Sequence, residues 1–323
     1  MKDNRNDDIK EYLFTLVQHF LKSPPLVIWG SGATIPFGIP SMNDLNESLK
    51  EQIEDFDDSN NNLEEELGKD KYIDKMPEIK KVIWDQINEA DTLVLKRIIK
   101  NDSNDFEGIK SLAKKFIEPH PQVVNIITTN YDRILEHIMS YQNINFTDGF
   151  EGRMLSKFNL DHFKDEKVVN LIKVHGSLDW FDINGEIRYL SNHQGDTPLK
   201  IIAPGKNKYE EAYASPYREL IQKADSLIED AASFLVVGFG FNDEHLTPKI
   251  RAKMKQGIPV VLITKEITEN SFKEMEGADK YILFEEAVDN KTKVFYKDSN
   301  STEPQNVILE GDFWQLSKFM EIL

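Results

Sequence analysis

Four short motifs place glycine, amide, carboxylate and imidazole groups directly after apolar runs of the sequence. They are Gly30-Ser31-Gly32-Ala33-Thr34, Thr128-Thr129-Asn130-Tyr131-Asp132, Val174-His175-Gly176-Ser177 and Gly238-Phe239-Gly240-Phe241-Asn242-Asp243. Each apolar run is typical of a buried strand, and an open α/β sheet binds its ligand outside the carboxyl ends of such strands. We therefore expect all four motifs to face one pocket.

The first motif is rich in small residues and is followed by Gly38-Ile39-Pro40. Small residues let a backbone approach a diphosphate, and the N–H groups of a turn near a helix N-terminus can point at its oxygens. The spacing of Gly30, Gly32 and Gly38 differs from the G-x-G-x-x-G fingerprint of dinucleotide-binding proteins. A plain turn between a strand and a helix is therefore an alternative interpretation of this segment.

The other three motifs supply groups that orient a ligand or move a proton. Asn130 and Asp132 offer an amide and a carboxylate to one pocket, although an Asn-x-Asp pair also suits the cap of a helix that begins near Arg133. His175 could act as a general base near neutral pH, or it could be a structural histidine. The fourth motif ends in an Asn-Asp pair that could bond a ribose. Their shared position at strand ends favours a functional role for all three motifs.

The elements that must position these motifs alternate between strands and helices. Apolar runs rich in β-branched residues predict buried strands at Leu26 to Trp29, Val123 to Thr128, Val168 to Val174, Phe234 to Val237, Val260 to Thr264 and Tyr281 to Phe284. Ser41 and Asp44 resemble a capping box and predict a helix through about Ile53. The alternation predicts one Rossmann-like α/β domain over residues 1–323, with a mostly parallel sheet and helices on both faces.

Two longer stretches interrupt this alternation. Residues 54–118 show helical spacing of apolar residues and are predicted to form a helical insertion within the domain. An acidic run begins this insertion, and residues 57–62 are predicted to form a solvated loop, with docking of a partner as the alternative. Residues 182–208 are expected to be irregular apart from a hairpin at Asn184-Gly185.

The composition of the chain excludes several classes of function. The chain has 323 residues, 39 Lys and Arg against 56 Asp and Glu, a net charge of −17, seven histidines and no cysteine. Without cysteine there are no disulfides, thiolate zinc sites or cysteine nucleophiles, and the histidines form no helical i, i+4 pair, so we expect no metal. No apolar run reaches the roughly 18 residues of a membrane span, and the acidic balance disfavours direct nucleic-acid binding. The N-terminal stretch is too charged for a signal peptide, so we expect a cytoplasmic protein.

The set of motifs resembles the sirtuin superfamily, and within it the bacterial sirtuin-like NAD-hydrolysing domains of antiphage defence systems such as Thoeris and those paired with HerA-type ATPases. Residues 30–34 with Gly38-Ile39-Pro40 resemble the sirtuin phosphate loop, GAG-x-S followed by GIP. Residues 128–132 resemble the TQNID motif, residues 174–177 the catalytic His-Gly element, and residues 238–243 the later nucleotide-binding loop. All four elements occur in the order that the family has.

This resemblance implies that the chain binds NAD+ and hydrolyses its nicotinamide–ribose bond. Asn130 would position the attacking water or a ribose hydroxyl, Asp132 would hold the nicotinamide carboxamide, and His175 would be the general base. The implied contacts to NAD+ come from Gly30, Ser31, Gly32, Ala33, Thr34, Ile39, Pro40, Asn130, Asp132, Gly176, Gly238, Phe239, Asn242, Asp243 and Thr264, with the first five around the diphosphate. The family also implies gating by homo-oligomerisation, by a HerA-type ATPase or by another defence-system protein.

Departures from the family pattern leave other activities open. Sirtuin deacylases carry a four-cysteine zinc module after the His-Gly element, whereas this chain has no cysteine and has residues 182–208 in that place. The family's GIP-D-F-R continues here as Ser41-Met42-Asn43, without the arginine. Both departures argue against binding of an acyl-lysine peptide. The alternatives are a sensor that binds NAD or ADP-ribose without hydrolysing it, a zinc-free deacylase or ADP-ribosyltransferase, and a transcriptional or structural protein that binds no nucleotide.

Overall fold

The computed structural model describes residues 2–57, 63–100, 106–152, 154–191, 197–205, 214–299, 301 and 303–323, which contain ten α-helices and twelve strands. The helices are α1 (Lys2–Phe20), α2 (Met42–Gln52), α3 (Leu63–Leu67), α4 (Met76–Ile99), α5 (Glu107–Ile117), α6 (Ile134–Tyr141), α7 (Tyr217–Asp230), α8 (Thr247–Lys255), α9 (Glu269–Met275) and α10 (Leu316–Phe319). The strands are β1 (Leu26–Trp29), β2 (Val123–Thr128), β3 (Phe146–Thr147), β4 (Val168–Lys173), β5 (Gly176–Ile183), β6 (Glu186–Tyr189), β7 (Leu199–Ile201), β8 (Phe234–Val237), β9 (Val260–Ile263), β10 (Tyr281–Ala287), β11 (Lys291–Lys297) and β12 (Gln305–Glu310).

Nine strands form one sheet in the order β12-β11-β10-β9-β8-β1-β2-β4-β3. The seven strands from β10 to β3 in this order run parallel, while β11 and β12 pair antiparallel at one edge. Strand β1 lies in the middle, where Val27 pairs with Ile126 of β2 on one side and with Leu235 of β8 on the other. The chain builds outward from β1 to β2 and β4, then returns to build β8, β9 and β10 on the opposite side. An open α/β sheet binds its ligand where the strand order reverses in this way, outside the carboxyl ends of the strands.

Successive strand residues point to opposite faces of the sheet, and both faces are buried. Val27 and Trp29 belong to a core that includes side chains of α1, α2, α4, α5, α6 and α10. Leu26 and Ile28 belong to a second core, formed with α7, α8 and α9. Helices therefore cover both faces, and the predicted Rossmann-like, mostly parallel α/β fold is correct.

The six predicted strands are all present in this sheet, and three of them have the predicted bounds. The strands that the sequence analysis did not predict are β3, β7 and the antiparallel pair β11 and β12. In β11, half-buried residues alternate with buried ones, and three of the four half-buried positions are lysines: Lys291, Lys293 and Lys297. The prediction relied on continuous apolar runs, so it missed this strand, whose buried residues alternate with half-buried ones.

The hairpin expected at Asn184-Gly185 is present between β5 and β6. Both turn residues have positive φ angles, 57° and 82°, which is the conformation that two-residue hairpin turns require. The N–H of Gly185 donates to Oδ1 of Asp182 at 2.7 Å and closes the turn. The expectation that residues 182–208 are otherwise irregular was wrong in part, because β6 and β7 pair on either side of β5; residues 192–196 and 206–208 lie outside the described residues.

Three helices, α3, α4 and α5, occupy the described part of residues 54–118. The long helix α4 turns Ile79, Ile83 and Ile87 toward the core, as their spacing predicted. Most of the predicted acidic loop, residues 58–62, lies outside the described residues. The interpretation of this region as an insertion within a single domain remains a prediction. None of the helices in the described ranges combines the length and the apolar composition that crossing a bilayer requires.

The predicted capping box at the start of α2 is present. The N–H of Asp44 donates to Oγ of Ser41 at 3.3 Å, and the N–H of Ser41 donates to Oδ2 of Asp44 at 2.7 Å. Two N–H groups that the helix cannot satisfy are therefore bonded reciprocally. The helix that follows ends at Gln52, one residue before the predicted limit.

Replacing the cap residue tests this element. Ser41→Ala removes the oxygen that accepts the N–H of Asp44, so the free energy of unfolding should fall by about 1 kcal/mol in urea denaturation. Glu47→Ala, at an exposed position of the same helix, is the control and should change it by less than about 0.5 kcal/mol. Equal effects of the two substitutions would contradict the role of the cap.

Candidate active site

A cavity of about 530 Å³ opens at the carboxyl ends of β1, β2, β4 and β8. It lies where the strand order reverses, and each of the four sequence motifs contributes to its wall. The predicted site residues that line it are Ser31, Thr34, Ile39, Pro40, Asn130, Asp132, His175, Gly238, Phe239, Asn242 and Asp243. The fold thus brings the amide, carboxylate and imidazole groups of distant motifs to one pocket.

The side chain of Asn130 is held in one orientation by two hydrogen bonds. Its Nδ2 donates to the carbonyl oxygen of Gly30 at 3.1 Å and to Oγ1 of Thr34 at 3.2 Å. Because a carbonyl oxygen only accepts, the nitrogen must face Gly30 and Oδ1 must face the other way. Asn130 is 8% exposed, and its Oδ1 has no hydrogen-bond partner among the described residues. Buried polar atoms are nearly always bonded, so this acceptor is suited to a water or to a hydroxyl of a ligand.

Asp132 is buried next to this amide and shares a partner with it. The Oγ1 of Thr34 donates to Oδ2 of Asp132 at 3.1 Å, while Oδ1 of Asp132 accepts the N–H of Ile134, the first residue of α6. The carboxylate therefore bonds the first N–H of the helix from the residue before its N-cap, Arg133, and it also lines the cavity. Burial raises the pKa of Asp132 to about 6, the charges of Asp91 and Glu136 act in the same direction, and Lys173 opposes them.

His175 follows β4 and stands beside a carboxylate from the loop after β8. Its Nε2 lies 3.0 Å from Oδ2 of Asp243, although the angle falls outside that of a hydrogen bond. The other oxygen of Asp243 accepts the N–H groups of His245 and Leu246 at 3.0 and 2.9 Å, so the carboxylate is fixed by the turn that leads into α8. Both side chains of the pair are more than nine-tenths buried.

The glycines after β1 and β8 allow two backbones to cross at close range. A Cβ on Gly30 would lie 2.4 Å from the carbonyl oxygen of Gly238, and a Cβ on Gly238 would lie 2.1 Å from the nitrogen of Ala33. The N–H of Gly32 donates to the carbonyl of Gly238 at 2.9 Å, and the N–H of Gly30 donates to that of Val237 at 3.0 Å. These glycines are therefore required by contact between the loops, whatever the ligand is.

The close approach of the loops after β1 and β8 changes the role that the sequence suggested for the loop after β1. The N–H groups of Ala33 and Thr34 donate to the carbonyls of Gly30 and Ser31, as in two short turns. The N–H groups of Gly30 and Gly32 are bonded to the end of β8 and to the loop after it. Four of the five N–H groups that were expected to bind a diphosphate are therefore already bonded to the protein. The lining residues Ser31, Asn242 and Asn270 have side chains that carry hydrogen-bond donors.

The cavity wall is acidic. Among the described lining residues there are four carboxylates, those of Glu64, Asp132, Asp243 and Glu244, and neither lysine nor arginine. The surroundings therefore favour a ligand, or a part of a ligand, that carries positive charge. Within the described ranges, no three His, Asp or Glu side chains are arranged as ligands of one metal ion.

Five of the expected contact residues lie outside the cavity wall. Gly30, Gly32 and Ala33 form the loop crossing behind it, and Gly176 lies where β7 passes, since a Cβ there would be 2.2 Å from the carbonyl oxygen of Lys200. Thr264 follows β9, one strand further out, and its Oγ1 donates to the carbonyl of Glu266.

The structure adds lining residues that the sequence reading did not name. Asn270, in the first turn of α9, donates from Nδ2 to Oδ1 of Asn242 at 2.6 Å and takes the place expected for Thr264. The N-cap of α9, where Thr268 accepts the N–H of Ser271, is a sequence signal that could have pointed to this polar helix start. Other additions are Met42, Leu45, Leu63, Glu64, Ile87, Thr129, Tyr131, Ile202, Pro204, Gly240 and Glu244.

The comparisons with known proteins find a similarity over the middle of the chain. The profile of a family described as the SIR2-like domain matches residues 124–275, from within β2 to the end of α9. This segment is therefore similar to the SIR2-like domain. It carries Asn130, His175 and Asp243, whereas the loop after β1 precedes it.

Solved structures that resemble the chain include Sir2 proteins. One is a complex of a Sir2 homologue with NAD, 18% identical, covering 84% of this chain and 87% of that chain with a TM-score of 0.46. Another is a complex of Sir2 with a p53 peptide and NAD+, 14% identical, covering 97% of this chain and 95% of that chain with a TM-score of 0.47. No curated protein matches the chain.

Alanine substitutions at two glycines of the loop after β8 test whether the close approach of the two backbones requires glycine. Gly238→Ala forces a side chain into a φ of +58° and against Ala33, so the free energy of unfolding should fall by more than about 2 kcal/mol. Gly240→Ala meets only an ordinary contact, 3.4 Å from Nδ2 of Asn242, and should change it by less than about 1 kcal/mol. Urea denaturation measures both, and an undiminished stability of Gly238→Ala would contradict the crossing.

The buried carboxyl of Asp132 should make stability depend on pH. Its folded pKa of about 6 lies above the ordinary 3.8, so its stabilisation is complete below about pH 4 and is lost as the pH rises through 6. Asp132→Asn mimics the protonated form, so the stability of this variant should not fall over the same pH range. Between about pH 4 and 7 the wild type should lose on the order of 3 kcal/mol relative to the variant in urea denaturation. The exposed Asp230→Asn should parallel the wild type, and parallel curves for Asp132→Asn would disprove the assignment.

Proposed function

We propose that the protein hydrolyses NAD+ at the nicotinamide–ribose bond, releasing nicotinamide and ADP-ribose. One observation carries this proposal: the Oδ1 of Asn130 is buried, held in one orientation and without a hydrogen-bond partner among the described residues, in a cavity that the imidazole of His175 also lines. Such an acceptor beside a general base is what the activation of a water molecule requires. The SIR2-like domain match, whose segment contains both residues, supports the same choice.

The residues present fit this substrate. A cavity of about 530 Å³ is within the usual size of a small-molecule site. Its acidic wall suits the cationic pyridinium end of NAD+, whereas the anionic diphosphate would lie against the side-chain donors Ser31, Asn242 and Asn270. The loop after β1 would then support the site through Thr34 and the carbonyl of Gly30, rather than through an array of its own N–H groups.

The proposed reaction breaks the bond between the nicotinamide nitrogen and C1′ of the ribose, and the electron pair leaves with the nicotinamide. Positive charge develops on the ribose, where the carboxylates of Asp132 and Asp243 stabilise it in a site of low dielectric constant. The Oδ1 of Asn130 accepts a hydrogen bond from the attacking water and positions it. The imidazole of His175 takes the proton of that water, and Asp243 stabilises the resulting imidazolium.

Two substitutions test these roles. Asn130→Ala and His175→Ala should each lower nicotinamide release by a factor of about 10² or more, because they remove the positioning acceptor and the general base. Nicotinamide formed from NAD+ by the purified variants is the measurement, with circular dichroism to verify folding. Asn306→Ala and His19→Ala, at exposed positions of β12 and α1, are the matched controls and should retain wild-type rates. Full activity of either site variant would refute the role assigned to it.

Calorimetry with NAD+ separates this proposal from its alternatives. A sensor would bind NAD+ and release no nicotinamide under any condition in which it binds. A deacylase or an ADP-ribosyltransferase would turn over only when an acyl-lysine peptide or an acceptor protein is present. Release of nicotinamide by the chain with NAD+ and water as the only substrates supports the hydrolase.

We further propose that the reaction depletes NAD+ as the effector step of an antiphage defence system and is gated by self-association or by a partner such as a HerA-type ATPase. The support is the motif resemblance described for residues 30–34, 128–132, 174–177 and 238–243. Nicotinamide release should be compared for the chain alone and with the products of neighbouring genes, with light scattering to report the oligomeric state. Equal activity of the monomer alone would refute gating.

A further inference from the structure

A second cavity, of about 890 Å³, lies between α4, α6 and the segment after β3, and shares no lining residue with the first. Its wall is partly aromatic, with Trp84, Phe146, Phe150 and Tyr189. The match to the SIR2-like domain and the proposed reaction leave this cavity without a role.

Two buried carboxylates face this cavity, Asp148 after β3 and Asp179 on β5. They are 8% and 5% exposed. Oδ1 of Asp179 has no hydrogen-bond partner among the described residues, and Asp148 accepts only the N–H of Phe150 at 3.1 Å in the contacts that the structure describes. Carboxylates at this depth are normally paired with a cation or bonded by several donors.

The cations nearest to these carboxylates are bonded to other acids. Arg133 donates from Nε and Nη2 to Oδ2 of Asp91, at 3.1 and 2.8 Å. Lys173 donates to Oε1 of Glu136 at 2.5 Å. Asp91 also accepts from Nε2 of His137 at 2.9 Å, and Lys81 in the cavity wall is paired with Asp85. Neither Asp148 nor Asp179 therefore has an ion-pair partner among the described residues.

The raised pKa values of Asp148 and Asp179 agree with the lack of an ion-pair partner for either carboxylate. Burial raises the pKa of Asp148 to about 7, and the charges of Asp179 and Glu136 add to the effect. Burial likewise raises the pKa of Asp179, against the opposing charges of Lys173 and Arg133. A positive charge placed between the two carboxylates would relieve both the desolvation and their mutual repulsion.

We propose that this cavity binds a small organic cation, with its ammonium or guanidinium group between Asp148 and Asp179 and its apolar part against the aromatic wall. The geometry supplies both requirements of such a ligand. The two carboxylates can accept the N–H donors of the cationic head, and the aromatic side chains that line the cavity offer an apolar surface to the rest of the ligand. The volume is larger than a single metal ion or a water needs and falls in the range of small-molecule sites.

Calorimetry at about pH 8 tests this proposal with n-butylammonium and n-butylguanidinium as probes. The wild type should bind at least one of them with a stoichiometry of one, and it should bind the neutral n-butanol at least ten-fold more weakly. This comparison uses only the wild-type protein, so it does not depend on how a variant folds. Failure of both cations to bind, or equal affinity for n-butanol, would overturn the proposal.

Isosteric variants locate the site. Asp148→Asn and Asp179→Asn keep the shape of the side chain and an acceptor oxygen while removing the charge, and each should weaken binding of the cation at least ten-fold. Asp230→Asn removes one charge from the opposite face of the sheet and should change the affinity by less than two-fold. Unchanged affinity in both site variants would overturn the proposal even if the wild type binds the cations. Because binding is measured without NAD+, the result is independent of the proposed hydrolysis.

Discussion

A close crossing of two backbones, between the loops that follow β1 and β8, is the constraint on which the site depends. Gly30, Gly32 and Gly238 permit an approach that no side chain would allow. The carbonyl oxygen of Gly30, placed by this crossing, is the acceptor that orients the amide of Asn130. The loop that leaves Gly238 continues to Asp243, which stands beside His175. One steric requirement thus sets the relative positions of the amide, the carboxylate and the imidazole.

Buried negative charge is the second property that shapes this molecule. The chain has a net charge of −17, and carboxylates line both cavities rather than only the surface. Keeping such groups away from water is costly unless something positive lies close to them. In the first cavity the expected positive charge belongs to the pyridinium and to the ribose of a transition state. In the second cavity the positive charge belongs to the proposed organic cation, because Arg133 and Lys173 form ion pairs with Asp91 and Glu136.

The sequence was informative wherever structure depends on neighbouring residues. Continuous β-branched runs predicted the central strands, the Asn184-Gly185 pair predicted the hairpin, and Ser41 with Asp44 predicted the start of α2. Strand β11 was missed because half-buried residues, three of them lysines, alternate in it with buried residues, and this is a weaker signal than a fully buried strand gives. The sequence did not show that α9 brings Asn270 to the cavity wall, because this depends on how the helix packs against the sheet.

The sequence by itself determined which residue types follow each central strand, and hence that polar and glycine-rich motifs would meet at one edge of a parallel sheet. Strand formation and turn chemistry depend on residues a few positions apart, so these features are readable from local patterns. Only the tertiary structure decided that four N–H groups of the loop after β1 are already bonded and that Oδ1 of Asn130 has no hydrogen-bond partner in the described part of the chain. The bond between Asn130 and Gly30 joins residues 100 positions apart, and the raised pKa of Asp132 reflects burial by several elements. Long-range packing produces both effects, and no local pattern encodes them.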